Sequence, residues 1–530
     1  MGAGRQPSLL DSVGILKPMS DVTTGDFGVG SWVARRARIT PDRPALIAGA
    51  RSITYVELDE RTRRLANGLR RLGVGRGDRV AWVGPNHTAF LECLFALGRM
   101  GAMLAPVNHR LRPAEQEVIL AQTEPVVLVQ YGGADPVTTA SVRHRVAVDG
   151  ARVGAIDFET LVAGSPDRPI EETVGPDVPF LLPHTSGTTG QPKAVVLTHG
   201  NVTWNAVNFV TSADFRRDDV TIAIAPFFRT GGIGVNVLPV LFIGGTVVVP
   251  DDPSPDGILR LVERHRVTVG FGNPDLLEAL THADRWSSAD LSSIRIVVTG
   301  GAPVPERLIR TYRERGVTLL QGYGLSEAAP LVLLLDAEQA LNKVGSAGTP
   351  PLFVDIRITD ADGGEVAPGQ TGELLVRGPN VMAGYWRRPA ETREKLIEGG
   401  WLRTGDAARV DGDGYVWIVD RLDARFISAG EVIYPGDVER ALMAHPSVAD
   451  AGVVGVATAT GEIVGTAFVV LSPGAAATEA ELLASCRGRL TANQVPTSIT
   501  VVGALPRNTV GKLVREDLLT LIPGGPNQGD

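Results

Sequence analysis

The chain has 530 residues, several times the length of a typical domain, so it divides into more than one folding unit. Acidic residues outnumber basic ones and give a net charge of −8, which excludes a general binder of nucleic acids or anionic membranes, since both classes need a basic surplus. The two cysteines are too few for a disulfide framework or a zinc site and favour a reducing cytoplasm.

Lysine is rare in this chain, because only five of the 51 basic residues are lysine. We attribute the excess of arginine, together with the many alanines and glycines, to a GC-rich coding bias rather than to function. Each lysine is therefore worth examining as a functional candidate: Lys17, Lys193, Lys343, Lys395 and Lys512.

Strand-like and helix-like segments alternate over the first two thirds of the chain. Residues 79–83 predict a strand, 88–100 a helix and 103–107 a second strand. Further strands are predicted at 178–182, 267–271, 294–298 and 317–320. Such alternation with helices of about 10–15 residues is typical of α/β lobes with largely parallel sheets.

The longest apolar run extends over 233–250 and contains Asn236, Pro239 and Gly244-Gly245. These residues favour a buried helix followed by a strand over a membrane span. The first residues lack a continuous apolar core, so we expect no signal peptide there.

The pattern changes after about residue 345, where strands become short and turn-bounded. Asp362-Gly363 and Asp411-Gly412 predict hairpins in a small antiparallel lobe. The stretch 427–522 is typical of a separate α+β unit. Its predicted elements are a helix over 435–444 and strands over 450–456 and 465–471.

Residues 185–193, TSGTTGQPK, follow the predicted strand at 178–182. Small hydroxyl and glycine residues let backbone N–H groups face inward and bind an anion, and Lys193 adds positive charge. The spacing is not that of a Walker A loop, and Ala194 places no hydroxyl for magnesium. The pattern indicates a phosphate-binding loop, and an ordinary surface loop is the alternative.

This loop resembles the phosphate-binding signature of the adenylate-forming superfamily, which includes acyl-CoA synthetases, peptide-synthetase adenylation domains and luciferases. Four further segments resemble motifs of that family, in the family's order: GYGLSE at 322–327, LRTGD at 402–406, DRLD at 420–423 and PRNTVGK at 506–512. The resemblance extends from about residue 28 to 520, which is nearly the whole chain.

The resemblance implies an α/β fold, with a large N-terminal domain of two α/β lobes plus a small β lobe and a small mobile α+β C-terminal domain. The implied divisions are an N-terminal extension over 1–27, the adenylate-forming domain over 28–420, a hinge over 421–424, the C-terminal domain over 425–522 and a disordered tail over 523–530. The implied activity joins a carboxylic acid to coenzyme A through an acyl-adenylate, using ATP and Mg²⁺ and releasing AMP.

The family's nucleotide contacts map onto a defined set of residues in this chain. They are Thr185, Ser186, Gly187, Thr188, Thr189, Gly190, Lys193, Gly301, Ala302, Pro303, Gly322, Tyr323, Ser326, Asp406 and Arg421. By the same resemblance, Lys512 bridges the acyl carboxylate and the α-phosphate, and Glu327 holds Mg²⁺. Asp406 accepts hydrogen bonds from the ribose hydroxyls, Arg421 helps to fix the ribose, and adenine packs against segment 300–303. The alternatives are a solvent-exposed lysine and a surface glutamate, and for Asp406 a turn aspartate.

Candidates for the acid pocket combine small and polar side chains, which favours a substrate other than a plain alkyl chain. They are Phe228, Arg229, Val235, Asn236, Asn273, Gly300, Gln321 and Ala328. Arg229 departs from the family pattern, which commonly has histidine or an aromatic residue there. It leaves three alternatives open: a contact to a polar group of the acid, a structural ion pair, or an altered acid or thiol channel.

A second departure lies in the hinge-and-loop segment 420–432. Asp423 occupies the hinge position, and Ala429, Gly430 and Glu431 correspond to the loop that enters the site for thioester formation. Ala429 stands where glycine is common, so a Cβ is present where a positive φ or a close approach is expected. The departures at Arg229 and over 424–432 motivate an alternative function, which is specialisation for one half-reaction. That half-reaction is either thioester formation from a supplied adenylate or adenylation with transfer to a carrier protein.

The expected partners are a small carboxylic acid or its acyl-adenylate and CoA, with a carrier protein as the competing acceptor. We expect no nucleic acid, no membrane span and a cytoplasmic location, and a homodimer is left open. A luciferase-like oxygenase and a binding module without turnover are the competing classes, and fold alone does not separate them.

Overall fold

The computed structural model describes residues 25–132, 137–150, 152–170, 172–186, 192–302, 304–458, 462–507 and 513–522. By its internal contacts the chain divides into two compact units, one of Met1–Ile356 with Val376–Arg403 and one of Arg357–Leu375 with Thr404–Asp530. The predicted tail over 523–530 and most of the predicted N-terminal extension lie outside the described residues. The predicted hinge over 421–424 and the predicted domain boundaries stay predictions.

Twenty-seven strands occur in the described parts of the chain. They are β1 Pro44–Ala48, β2 Arg51–Thr54, β3 Arg79–Val83, β4 Met103–Val107, β5 Val127–Gln130, β6 His144–Ala147, β7 Ile156–Asp157, β8 Pro179–Leu181, β9 His184–Ser186, β10 Pro192–Thr198, β11 Val220–Ile222, β12 Thr246–Val248, β13 Val269–Gly272, β14 Ile296–Gly300, β15 Thr318–Gly324, β16 Leu331–Leu334, β17 Asp355–Thr359, β18 Gly372–Arg377, β19 Gly384–Tyr385, β20 Leu396–Ile397, β21 Trp401–Val410, β22 Val416–Arg421, β23 Phe426–Ser428, β24 Glu431–Ile433, β25 Val448–Ala457, β26 Ile463–Leu471 and β27 Ser498–Val501.

Fifteen α-helices are described between and after these strands. They are α1 Gly30–Ile39, α2 Tyr55–Arg71, α3 Thr88–Met100, α4 Pro113–Thr123, α5 Phe158–Ala163, α6 His199–Ser212, α7 Thr230–Gly234, α8 Val237–Ile243, α9 Pro255–His265, α10 Pro274–Thr281, α11 Glu306–Glu314, α12 Pro389–Lys395, α13 Pro435–Met443, α14 Glu479–Arg487 and α15 Arg515–Leu518. Short 3₁₀ helices cover Ser326–Ala328, Glu398–Gly400 and Leu519–Leu521. None of the described helices is both long enough and apolar enough to cross a membrane.

Helix boundaries follow from local chemistry in the sequence. At α2, Thr54 accepts a hydrogen bond from the Glu57 backbone while Glu57 reaches back to Thr54, which satisfies two otherwise unpaired N–H groups. At α3, His87 caps the first turn through Nδ1, and Gly101 ends the helix at φ 63°, a conformation that glycine adopts without strain.

The first unit contains two sheets with mixed strand directions. One has the order β16-β15-β14-β13-β11-β12-β1-β2, and the other has the order β19-β10-β8-β4-β3-β5-β6-β7 with β9 paired to β10. Pairing is parallel from β15 through β13, β11 and β12 to β1. Buried residues between helices and sheets, such as Trp82, Phe90 and Phe180, form its main core.

The second unit contains the strand set β25-β26-β27 and the hairpin β23-β24. Val453, Val469 and Leu482 are fully buried and belong to the core that α13 and α14 cover. The division between the two units falls within strands β17, β18 and β21, and the antiparallel partners Asp406 and Arg421 lie in the second unit.

The predicted alternation of strands and helices is confirmed. The strands predicted at 79–83 and 103–107 and the helix predicted at 88–100 have the predicted bounds. The apolar run at 233–250 folds as α8 followed by β12, as predicted. The other predicted strands are present with ends displaced by one to four residues, for example β15, which extends to Gly324.

Candidate functional site

Several predicted site residues lie at the carboxyl ends of neighbouring parallel strands in the first unit. Asn273 follows β13 and caps α10, Gly300 ends β14, and Gly322 and Tyr323 lie near the end of β15. Loops that leave parallel strands at one edge form a crevice, which is where α/β sheets bind ligands. The topology therefore brings together segments that are distant in sequence.

Gly300 is required by close packing between two strands. A Cβ built there would lie 2.4 Å from the carbonyl oxygen of Gly322, so no other residue fits without moving the backbone. On the same strand pair, the Oε1 atom of Gln321 is buried without a hydrogen-bond partner among the described residues, and Nε2 reaches the Gly345 carbonyl at 3.5 Å. A buried acceptor without a partner is suited to a polar ligand group.

The predicted phosphate loop connects two paired strands. Lys193 on β10 lies opposite Thr185 on β9, and the Thr185 hydroxyl donates to the Lys193 carbonyl at 3.5 Å. Loop residues Gly187, Thr188, Thr189 and Gly190, the side chain of Ser186, and Pro303 of the predicted adenine segment lie outside the described residues. The described strands thus hold both ends of the predicted loop.

Lys193, Tyr385 and Glu327 form a contiguous cluster in the first unit. The ammonium of Lys193 lies 5.6 Å from the centre of the Tyr385 ring, within cation–π range. The Tyr385 hydroxyl donates to Glu327 Oε1 at 2.7 Å. The fold thus places the positive charge beside the predicted phosphate loop close to the predicted magnesium ligand.

Tyr385 is a residue that the sequence motifs did not identify. It is 5 % exposed and lies on β19, which pairs with β10 although the two strands are almost 190 residues apart. The sequence feature that could have drawn attention to Tyr385 is the rarity of its residue type, since the chain has only seven tyrosines, as many as tryptophans. A hydroxyl held against a carboxylate orients it for one direction of metal binding.

The residues around Glu327 fit a magnesium ion that is held mainly by phosphate oxygens. Mg²⁺ commonly takes one or two carboxylates and completes its shell with substrate oxygens and water. Within the described ranges no group of three or more potential protein ligands occurs, and a single carboxylate, held at Oε1 by the Tyr385 hydroxyl, agrees with that mode.

The 3₁₀ turn that carries Glu327 also contacts the predicted acid pocket. Thr230 at the start of α7 donates from its hydroxyl to the Ser326 hydroxyl at 3.1 Å. Phe228 meets the His109 ring edge-on at 5.7 Å, and a Cβ on Gly231 would lie 3.4 Å from the Phe271 ring. Aromatic side chains therefore border the segment 228–231 on two sides.

Other candidates for the acid pocket are buried and occupied by structural contacts. Asn236 is 1 % exposed and donates to Thr221 Oγ1 at 2.6 Å and to the Ile222 carbonyl at 3.2 Å. Val235 belongs to the main core, and Ala328 is fully buried. The Asn236 amide supports β11, so its prediction as an acid contact finds no support in its geometry.

Arg229 keeps more than a third of its surface exposed. Partial desolvation and the nearby positive charge of Arg110 lower the pKa of its guanidinium. The three roles predicted for Arg229 stay open.

His184 on β9 precedes the phosphate loop. Burial lowers the pKa of its imidazole to about 4, so this side chain is neutral at pH 7. The positive charge flanking the loop among the described residues of β9 and β10 is therefore that of Lys193.

Asp406 and Arg421 form an ion pair in the second unit. Their side chains meet at 3.1 Å, and Arg421 also donates to the Thr404 carbonyl at 3.2 Å. Burial alone lowers the pKa of Arg421, but the carboxylates of Asp406 and Asp423 outweigh it and raise the pKa. Arg421 therefore links the predicted ribose carboxylate to the predicted hinge residue, which lies 3.5 Å from its Nε atom.

The predicted thioester loop is the tight turn of the β23–β24 hairpin. Ser428 pairs with Glu431, and the two residues between them have positive φ, 47° at Ala429 and 79° at Gly430. Two consecutive positive φ values are typical of a type I′ turn, which favours Asn-Gly or Gly-Gly. The expectation of a positive φ at Ala429 is confirmed, and alanine is strained there.

We expect Ala429→Gly to stabilise this hairpin by about 0.5–1 kcal/mol, because it removes the left-handed strain at a smaller cost in chain entropy. Gly430→Ala is the matched control and should destabilise the hairpin by about 1 kcal/mol, since a Cβ at Gly430 meets no atom within 4 Å and only the backbone strain counts. Hydrogen exchange over residues 426–433 in the full chain measures both changes. Faster exchange in Ala429→Gly than in the unsubstituted chain contradicts this account.

The segment of the predicted catalytic lysine is described only at its ends. Lys512 and Gly511 lie outside the described residues, whereas Arg507 pairs with Asp450 at 2.6 Å. After the segment, Arg515 contacts Glu439 and lies 3.3 Å from Asp420. These pairs fasten both ends of the segment to the second unit.

Comparison with protein families identifies two matching regions. Residues 33–386 match the family described as AMP-binding enzyme, and residues 437–512 match the AMP-binding enzyme C-terminal domain. Together they cover most of the chain, including the Lys193, Glu327 and Tyr385 cluster.

Curated relatives and solved structures resemble the chain over nearly its whole length. A feruloyl-CoA synthase from Amycolatopsis sp is 44% identical over 492 residues, covering 93% of this chain and 98% of the relative. An indoleacetate–CoA ligase from Aromatoleum aromaticum is 36% identical, with the same coverage. The structure of O-succinylbenzoate coenzyme A synthetase from Bacillus subtilis with its acyl-adenylate intermediate is 30% identical, with a TM-score of 0.81 over 92% of this chain and 97% of that chain.

Proposed function

The chain belongs to the family of AMP-binding enzymes, and from that premise we propose that it attaches coenzyme A to an aromatic carboxylic acid. It is an AMP-forming acid–thiol ligase, an acyl-CoA synthetase that uses ATP, magnesium and CoA. We propose three further points: the acid is aromatic, the residues have the roles given below, and the acceptor is CoA rather than a carrier protein.

In the first step a carboxylate oxygen of the acid attacks the α-phosphorus of ATP, and the bond from that phosphorus to the bridging oxygen breaks to release pyrophosphate. Repulsion between anions and charge on the leaving group dominate the barrier. Lys193 offsets charge on the phosphates, and Ser326 donates its hydroxyl to the α-phosphate. Glu327 would hold Mg²⁺, which would supply further positive charge there, and Tyr385 keeps the Glu327 carboxylate oriented.

We assign different parts of the nucleotide to different residues. We assign adenine packing to segment 300–303, which begins where Gly300 packs against the Gly322 carbonyl. Asp406 accepts hydrogen bonds from the ribose hydroxyls, and Arg421 holds the Asp406 carboxylate in place through their ion pair. In the second step the thiol sulfur attacks the acyl carbon, the thiol loses its proton, and the bond to AMP breaks.

The observation that carries the aromatic substrate is the 44% identity to a feruloyl-CoA synthase, because that match extends over 93% of this chain and is not confined to the nucleotide motifs. The rings of His109, Phe228 and Phe271 around segment 228–231 agree with a flat substrate. An indoleacetate–CoA ligase also acts on an acid with a ring.

An acid panel tests this substrate class. The full chain is incubated with MgATP, CoA and ferulate, indoleacetate, 2-succinylbenzoate, benzoate, octanoate or malonate. We expect kcat/KM for the best ring-containing acid to exceed that for octanoate by about 100-fold, because a pocket with aromatic walls discriminates through shape and contact area. Octanoate or malonate as the preferred acid contradicts the proposal.

The acceptor is tested in the same assay. CoA and a carrier protein present the same phosphopantetheine thiol, and the relatives of this chain are CoA ligases, which supports CoA. Faster transfer to a loaded carrier than to CoA would favour the carrier-protein alternative.

A further inference from the structure

The segment that follows β11 leaves its sheet while it still exposes backbone hydrogen-bonding groups. The Ala223 amide continues the sheet by donating to the Val248 carbonyl at 2.8 Å. The carbonyls of Ala223 and Ala225 and the amide of Phe227 all bond to one side chain, that of Asn86. Asn86 Nδ2 donates to both carbonyls at 2.8 Å, and Asn86 Oδ1 accepts from the Phe227 amide at 2.8 Å.

Asparagine is chemically suited to this position. Its primary amide carries two donors on one atom and an acceptor on the other, so it pairs with an extended backbone as a neighbouring strand would. Aspartate has the same shape, but its oxygens would face two carbonyl oxygens and donate to neither. A buried carbonyl without a donor is destabilised, and the segment would have to shift to regain hydrogen bonds.

Asn86 is itself held rigidly. It lies between β3 and α3, and the next residue, His87, caps α3 by accepting from the Ala89 amide at 3.1 Å. In the first turn of α3, the Phe90 ring packs on the Phe227 ring with 5.1 Å between their centres. We therefore expect the loop at Asn86 and the segment at Phe227 to shift together.

Short connections join this anchor to the acid-pocket residues. Phe228 contacts the His109 ring, and Thr230 contacts Ser326. A Cβ on Gly232 would lie 2.0 Å from the Pro226 carbonyl oxygen, so the backbone of the turn between these two residues is tightly packed. A shift at Phe227 is therefore passed to Phe228 and Arg229 rather than absorbed.

We propose that Asn86 is a positioning residue that sets the place of Phe228 and Arg229 and thereby the acid selectivity of the enzyme. The proposal rests on the proposed function, because it assigns segment 226–231 to the acid pocket. The three hydrogen bonds of Asn86 involve no described residue of the nucleotide motifs. We therefore expect a substitution of Asn86 to change KM for the acid and not KM for ATP.

The test compares Asn86→Asp with a matched control, Asn67→Ala. Asn67 also donates to three backbone carbonyls, those of Arg63, Pro166 and Arg168, but it fastens a surface loop outside the predicted site. For Asn86→Asp we expect KM for ferulate to rise about tenfold and the ferulate-to-benzoate ratio of kcat/KM to fall about tenfold, with KM for ATP within about twofold of the unsubstituted chain. Asn67→Ala should leave all three quantities unchanged.

An unchanged ferulate-to-benzoate ratio in a folded Asn86→Asp enzyme overturns the proposal, as does an equal rise in KM for the acid and for ATP. If Asn86→Asp does not fold, Asn86→Ser, which keeps one small donor and acceptor, is measured in its place with the same two outcomes. Failure of the proposed function is seen separately, as an unsubstituted enzyme that prefers a non-aromatic acid. In that case the ratio is taken between the preferred acid and a shorter homologue, and it still decides the role of Asn86.

Discussion

We expect Glu327→Gln to lower the rate of adenylate formation by about 10²–10³-fold. Glutamine keeps the shape and an oxygen that accepts from the Tyr385 hydroxyl, so the local fold is retained. It removes the negative charge that holds Mg²⁺ beside the phosphates, and the charge on the leaving pyrophosphate is then less well neutralised. ATP–pyrophosphate exchange as a function of magnesium concentration measures the loss, and the half-saturating concentration of Mg²⁺ should rise at least about tenfold.

Two further variants sharpen this result. Tyr385→Phe keeps the ring beside Lys193 but loses the hydroxyl that orients Glu327, so we expect a smaller loss of about tenfold. Glu306→Gln neutralises an exposed glutamate on α11 that pairs with Arg310, and its rate should stay within about twofold of the unsubstituted enzyme. A half-saturating concentration of Mg²⁺ that is unchanged in Glu327→Gln removes Glu327 from the magnesium site.

The second large effect is expected at Lys512. Lys512→Ala should lower adenylate formation by about 10²–10³-fold, because a positive charge between the acyl carboxylate and the α-phosphate offsets their repulsion. Transfer of the acyl group from a supplied acyl-adenylate to CoA should change by less than about fivefold, since no carboxylate attacks the α-phosphate in that step. Lys395→Ala, at the end of α12, is the matched loss of a lysine and should change neither rate.

This pair of assays also decides between complete synthesis and specialisation for one half-reaction. Equal loss of both half-reactions in Lys512→Ala would mean that the lysine serves the fold or the thioester step as well. Unchanged adenylation in Lys512→Ala would favour a binding module that does not depend on this residue. Efficient adenylation and efficient transfer in the unsubstituted chain would exclude the specialised alternative that Arg229 and the 424–432 segment suggest.

The fold was accessible from the sequence because burial imposes a regular pattern. The run 79–83 has to be a strand and 88–100 a helix, since only those periods place Val80, Phe90 and Leu94 in the core. Likewise the positive φ at Ala429 followed from a family position that is usually glycine. The residue pattern of a segment predicts its structure wherever that segment alone determines its conformation.

Contacts between distant segments were not accessible in the same way. Tyr385 meets Glu327 only because β19 pairs with β10, and Asn86 meets Phe227 only because the loop after β3 faces the end of β11. No periodicity in either segment predicts the partner. Asn236 shows the converse, because its polar side chain suggested a ligand contact but the start of α8 directs it to Thr221.

The most direct test of the central claim is the product balance of a single reaction that contains the purified full chain, ferulate, ATP, Mg²⁺ and CoA. The account predicts feruloyl-CoA, AMP and pyrophosphate in equal amounts, with acyl-adenylate and pyrophosphate formed when CoA is left out. ADP and phosphate in place of AMP and pyrophosphate, or consumption of ATP without an acyl-CoA from any ring-containing acid, would contradict it.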